Sequence, residues 1–291
     1  MCPMSPRLLR PRASGGTHPE ALDWATRVTT NGGTFTSNTL AAVSTFCASI
    51  ERAGIRDRFY RLNLFCGDQL AAALVPLYRA ESRTASARGN TTDTNNNFVS
   101  GDFNNTGSSS GLTGNGTSKY LGTGINANSV TASNAHMGAG IAGVATGTAA
   151  LRVVMGAFNN ASNALLIYGL DITAGSSPEN RRAAHFSRYA TLTDGCGPSV
   201  NNAALGPGNV IAAYPTLYLN GSATGTDATT SQDYPSAHSM HVFALNNSNS
   251  SVIGYFNGRL NWYSFGLTMT SSQATSFNNA LTAFNTALSR T

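Results

Sequence analysis

From Gly111 onward the chain reads strand, turn, strand: β-prone runs recur roughly every 10–20 residues between clusters of Asn, Gly, Ser and Thr. That rhythm selects an antiparallel two-sheet sandwich, because short strands are stable only when one face is covered by a second layer. The candidate strands are residues 117–125, 136–144, 151–158, 164–170, 182–192, 210–214, 216–220, 238–245 and 258–267. Asn159-Asn-Ala-Ser-Asn163 reads as a hairpin connection, and Asn220-Gly221 is a strong tight-turn signal. Gly138-Ala-Gly-Ile-Ala-Gly143 lacks the strand–turn–helix setting of a phosphate loop and predicts close sheet packing instead. Composition agrees. Charged residues are 11% of the 291, against about 25% in ordinary soluble domains. The polar surface must come from Asn, Ser, Thr and Gly, which suit turns better than exposed helix faces.

The front of the chain differs in kind. Residues 1–18 read as a flexible basic arm, 19–80 as a small helical or mixed docking unit, 81–110 as a polar linker, and 111–291 as the sandwich with a closing helix. Leu22, Ala25 and Val28 predict a helix over 19–30, broken at Asn31-Gly-Gly33. Leu40, Val43, Phe46, Cys47 and Ile50 share one face of a second helix over 37–53, with Gly54 as its left-handed cap. A strand follows at 59–65, then a short helix through Leu70, Leu74 and Leu77, capped by Asp68 and limited by Pro76. The polar linker is expected to hold one short strand, at Phe98-Val99. At the other end, Thr270-Ser-Ser-Gln273 fits a capping box, and Phe277, Leu281, Phe284 and Leu288 form an apolar stripe. That stripe is expected to bury against the sandwich or the front helices, and failing those against a neighbouring subunit.

Charge is placed unevenly. Residues 1–90 carry eleven arginines and six acids, whereas the remainder carries seven of each sign. A basic front suits an acidic partner surface, and scattered solvated arginine is the plainer reading. The arginines are not interleaved with aromatics, so no nucleic-acid partner is expected. Cys2, Cys47, Cys66 and Cys196 have irregular spacing, which excludes a disulfide framework and a zinc motif. The opening residues lack a signal-peptide core, and no run has the length of a membrane span.

Three segments carry a family resemblance. Gly111-Leu-Thr-Gly-Asn-Gly-Thr-Ser-Lys-Tyr-Leu-Gly-Thr-Gly124 resembles the opening strand of concanavalin A-like, laminin-G-type domains. Leu217-Tyr-Leu-Asn-Gly221 is similar to a hairpin of that family, and Tyr255-Phe-Asn-Gly-Arg-Leu-Asn-Trp-Tyr-Ser-Phe-Gly266 to its closing strand before a final helix. The front segment, with Trp24-Ala-Thr-Arg-Val28, Asn31-Gly-Gly33 and Tyr60-Arg-Leu-Asn-Leu-Phe-Cys-Gly67, looks like one that precedes such sandwiches in tailed-bacteriophage and environmental-bacterial proteins. The resemblance implies a mainly β, concanavalin-like jelly roll behind a small helical unit. It also implies a virion structural protein: a fibre, a tail or neck appendage, or a capsid decoration. Such a protein is assembled in the host cytoplasm, self-associates, and docks to other virion proteins through residues 1–80. The alternatives are a lectin-like glycan-binding module of a bacterial surface protein and, third, a glycoside hydrolase.

Reactive constellations are scarce. The four Glu are Glu20, Glu51, Glu81 and Glu179, and no carboxylate pair sits at strand spacing in the sandwich region, so no catalytic residue is assigned. His238 and His241 lie three apart, which on a strand puts them on opposite sides, and no metal site or cofactor is assigned. Asp93, Asp102, Asp227 and Asp233 all fall in loops, where calcium is one reading and turn chemistry the plainer one. Sugar recognition needs an aromatic face beside amides and carboxylates, and Tyr234, Asp233 and Tyr214 are the candidate binding residues.

Overall fold

The computed structural model describes residues 16–144, 151–159, 165–174, 180–185, 188–189, 199–200, 207–226 and 237–290. The front holds α1 (Pro19–Thr30), α2 (Ser37–Arg52), β1 (Phe59–Asn63) and the one-turn α3 (Leu70–Ala73). Then come β2 (Thr94–Asn96), β3 (Phe103–Asn104), β4 (Gly111–Thr113), β5 (Tyr120–Asn126), β6 (His136–Val144), β7 (Leu151–Asn159), β8 (Leu165–Ala174) and β9 (Asn180–His185). The rest are β10 (Arg188–Tyr189), β11 (Ser199–Val200), β12 (Gly208–Ala213), β13 (Thr216–Leu219), β14 (Ser222–Thr226), β15 (Ser239–Val242), β16 (Leu245–Asn247), β17 (Ser251–Ile253), β18 (Gly258–Gly266) and α4 (Ser271–Ala287).

The strands form two sheets. One runs β14-β13-β12-β6-β18-β4-β3, with β1 also paired to β18. The other runs β11-β9-β8-β7-β15-β5-β2, with β10 on β8 and the β16–β17 pair attached to β7. Pairing between the named strands is antiparallel except for β16 with β7, and an isolated parallel bridge joins Gly107 to Arg290. The architecture is therefore mainly β, with two facing sheets, a helical front and a closing helix, as the strand rhythm predicts.

Although its edge strand β14 is largely exposed, the first sheet is buried on both faces at its centre. Its inner face brings Met137, Ala139, Ile141, Val210, Ala212, Leu217, Leu260, Tyr263 and Phe265 against Leu121, Ile125, Met155, Ala157, Met240 and Val242 of the second sheet. Its outer face brings Ile211, Ala213, Tyr218 and Trp262 against α1, α2 and α4. The register of β18 against β6 slips between Leu260 and Trp262. Such a bulge changes which face a side chain takes, so Leu260 points inward, Trp262 outward, and Tyr263 inward again. Trp262 explains the glycine-rich β6 opposite it: a Cβ at Gly138 would lie 2.9 Å from the indole.

The apolar stripe of α4 docks as expected. Phe277 sits edge-on to Phe59 at 4.8 Å and to Trp262 at 5.2 Å, while Phe284 lies 5.9 Å from Phe46 of α2. Each such side chain contributes about 1.5–3 kcal/mol by burial. The capping box forms: the Gln273 N–H donates to Thr270 Oγ1, and the Thr270 N–H donates to Gln273 Oε1 at 2.9 Å. At the Asn220-Gly221 turn φ is +49° and +80°, the conformation that matches a two-residue hairpin to strand twist.

Three local expectations are corrected. Asp68 does not cap a helix; Gln69 takes that position without a side-chain bond, and α3 stops after one turn. Phe98-Val99 is not a strand, because Phe98 buries its ring 5.1 Å from Phe243 while Val99 turns out to solvent; the strands are β2 and β3 on either side. The segment 111–124 is two strands, β4 in one sheet and β5 in the other. Asn115 Oδ1 accepts from the N–H groups of Thr117, Ser118 and Lys119, and this turn carries the chain across. Residues 81–110 thus contribute a strand to each sheet, and β1 from the front segment extends the edge of β18 beyond β4.

Candidate functional site

The seam where α2, the β3 loop and the end of α4 meet opens into a polar cleft of about 580 Å³. Its lining is Thr36, Asn38 and Thr39 from the start of α2, Asp68 after β1, Phe103, Asn104, Asn105 and Thr106 around β3, and Leu288 and Ser289 behind α4. Each segment is fixed locally. Thr36 caps α2 by accepting from the Thr39 N–H at 3.1 Å. Asn38 Nδ2 donates to the Ala287 carbonyl at 3.2 Å, tying the start of one helix to the end of another. Asn104 Oδ1 accepts from the Thr106 N–H, and the Asp68 N–H donates to the Thr34 carbonyl.

Arg290 staples these segments together. Its guanidinium donates to the carbonyls of Leu64, Phe65 and Asn105 and to Asn105 Oδ1, at 2.8–3.0 Å. Burial pushes its pKa down to about 10, still charged at neutral pH. Among the described residues it has no carboxylate partner. The Asp68 carboxylate is exposed and unpaired among the described residues. The cleft therefore offers amides, hydroxyls, one free carboxylate and the half-buried ring of Phe103. These are the groups that hydrogen-bond and stack on a sugar.

A second polar cluster is sealed inside. Arg61 Nη2 lies 2.6 Å from Asp93 Oδ1, with both side chains fully buried. The Tyr263 hydroxyl donates to the same oxygen at 2.6 Å, and Asn63 Nδ2 to Asp93 Oδ2 at 2.8 Å. Arg61 Nη1 donates to the carbonyls of Arg88 and Asn90. Burial by itself would lower the Arg61 pKa, but Tyr263 and Asp93 outweigh it and raise it. With no solvent access this cluster has no route to a substrate. It pins residues 88–93 to β1 and β18.

Three arginines of the front, Arg27, Arg56 and Arg88, act as internal clamps, whereas Arg52 and Arg83 are exposed. Arg27 reaches Asp23 and the Pro76 and Leu77 carbonyls, Arg56 reaches Glu20 and the Ala80 carbonyl, and Arg88 pairs with Glu81. Among the described residues, one set of three metal-ligating types comes together: His18, Glu20 and Cys47. Its atoms are already engaged. Glu20 holds Arg56 at 2.7 Å, His18 faces Glu51 at 3.1 Å, and burial pushes the Cys47 thiol up to about 12. Of the four loop aspartates, Asp93 and Asp102 have cationic partners, Arg61 and Lys119, and Asp227 and Asp233 lie outside the described residues. His241 stacks on Tyr120 at 4.7 Å.

Of the binding residues expected from sequence, Tyr214 is half-buried, packed on the inner core next to β12. Asp233 and Tyr234 lie outside the described residues. The cleft was not foreseen, although the run Asn104-Asn-Thr106 in the polar stretch was its visible signal.

No family model and no curated protein matches the chain. Solved structures similar to it include Trypanosoma rangeli sialidase, at 9% identity and a TM-score of 0.40, and a mutant of that sialidase displaying trans-sialidase activity, at 9% and 0.37. Both alignments cover 87% of this chain, which spans 40% of each sialidase chain. No helix among the described residues is long and apolar enough to cross a membrane.

Proposed function

We propose that this protein is a non-catalytic, carbohydrate-recognising β-sandwich that attaches a larger assembly to a glycan-bearing surface. The carrying observation is the 580 Å³ cleft, in which Asn38, Asn104 and Asn105, several hydroxyls, Asp68 and the Phe103 ring converge. Most glycosidases need two carboxyl groups about 5–10 Å apart. The cleft lining contains one, Asp68, which suits holding a sugar rather than cleaving it.

The assembly in this reading is a bacteriophage particle, on which the protein is a fibre, a tail or neck appendage, or a decoration. The support is the motif resemblance of the front segment. The protein self-associates, meets other virion proteins through residues 1–80, and uses no cofactor.

A glycan array followed by titration calorimetry tests the reading. The expected result is binding of a small group of glycans, weakened about tenfold by Asp68→Asn or Phe103→Leu, a loss of about 1.4 kcal/mol. No bound glycan across a broad panel, or steady release of reducing sugar, would overturn it.

A further inference from the structure

A second cleft, of about 160 Å³, lies between α1 and the segment that follows β1 and α3. Four arginines line it: Arg27, Arg56, Arg79 and Arg83. The two acids in its wall are already matched, Asp23 by Arg27 at 2.9 Å and Glu20 by Arg56 at 2.7 Å. Among the described residues that leaves the charges of Arg79 and Arg83 uncompensated. Arg79 Nε is buried and has no hydrogen-bond partner among them, and a buried donor without an acceptor is costly. Arg83 is exposed and has no ion pair among the described residues.

The geometry points to an oxyanion site, in which Arg79 and Arg83 hold a phosphate, sulfate or carboxylate group. The guanidinium fork matches such oxygens bidentately. At about 160 Å³ the cleft has room for a single small oxyanion. The walls are rigid enough to preorganise the site. Arg27 donates to the Pro76 and Leu77 carbonyls and Arg56 to the Ala80 carbonyl, so the backbone beside Arg79 is held from three points. On the far side, Arg88 donates to both oxygens of Glu81, and the Arg88 N–H donates to the Arg79 carbonyl. Arg79 is also held below its ordinary pKa by burial and then by the neighbouring cations Arg27 and Arg61, a repulsion that a bound anion relieves. The site is separate from the sugar cleft and does not depend on it.

Thermal unfolding and calorimetry with inorganic phosphate, against chloride at matched ionic strength, test the assignment. Phosphate is expected to raise the unfolding midpoint by about 2–4 °C beyond chloride. Arg79→Gln should abolish that shift. Arg83→Gln, at an exposed position that folding tolerates, should reduce binding at least severalfold, and keeps the test valid if the Arg79 variant fails to fold. Glucose 6-phosphate in a parallel arm separates a free anion from an ester: tighter binding than phosphate assigns the site to a phosphorylated sugar, and weaker binding to the free ion. Equal stabilisation by phosphate and chloride, or a shift that survives both substitutions, overturns the proposal.

Discussion

Arg61 and Arg290 are buried in opposite ways. Arg61 is neutralised by Asp93 within a closed network, whereas Arg290, among the described residues, rests on carbonyl and amide oxygens and over the Phe284 ring. The first arrangement keeps both charges sealed, so removing either partner strands the other. The second spreads one charge over backbone dipoles from two distant segments, residues 64–65 and 105, so its loss frees carbonyls rather than a counter-charge. The difference teaches that burial of a cation costs most to disturb where a second charge depends on it. His136 takes the remaining option and gives up its charge. It is fully buried, its Nδ1 donating to the Leu267 carbonyl at 2.7 Å and its Nε2 accepting from the Ser264 hydroxyl.

The largest effect should come from Asp93→Ala, which leaves Arg61 charged and unsolvated. Urea unfolding should show a loss of about 3–5 kcal/mol, much of it regained in the double variant Arg61→Met, Asp93→Leu. A loss below about 1 kcal/mol would erase the contrast between the two arginines.

Next is pH. Burial lowers the His136 pKa from 6.5 to about 4. The unfolded chain therefore binds the extra proton first, and the contribution of a neutral His136 is full above about pH 6.5 and is lost as pH falls toward 4. That loss amounts to about 3 kcal/mol. A stability profile flat across that window would mean that His136 is protonated in the folded state.

Arg290→Ala should cost less, about 1–3 kcal/mol, with weakened glycan binding because Asn105 loses its anchor. A cost as large as that of Asp93→Ala would show that the carbonyl cradle behaves as an ion pair. Asp68→Asn is the smallest in stability, within about 0.5 kcal/mol, since the side chain is exposed and unpaired among the described residues. A larger cost would place Asp68 in the scaffold rather than in the cleft.

Local periodicity made most of the elements legible. α1 and β6 fall on the residues expected, α2 within one residue, and the capping box and the Asn220-Gly221 turn form as read. Periodicity does not report which layer a strand joins, so one motif at 111–124 concealed a crossing between sheets. Polar composition suggested a linker at 81–110. Instead Asp93 is buried there and polar because Arg61 sits 32 positions away in sequence but in contact in space. The polar cleft was hidden for the same reason. Its walls come from residues 36–39, 68, 103–106 and 288–289, and no local pattern links them.

The pairing of Phe59–Asn63 with residues 263–266 has a further consequence for how the polypeptide acquires its shape. As the ribosome works, the apolar surfaces around Phe46 and Phe59 lack part of their seat, Trp262, Phe277 and Phe284, until about 200 residues later β18 and α4 emerge. Such distant closure is slow. The nascent front half is therefore the aggregation-prone half, and the stage at which a chaperone would be most useful is the wait for Trp262 and Phe277.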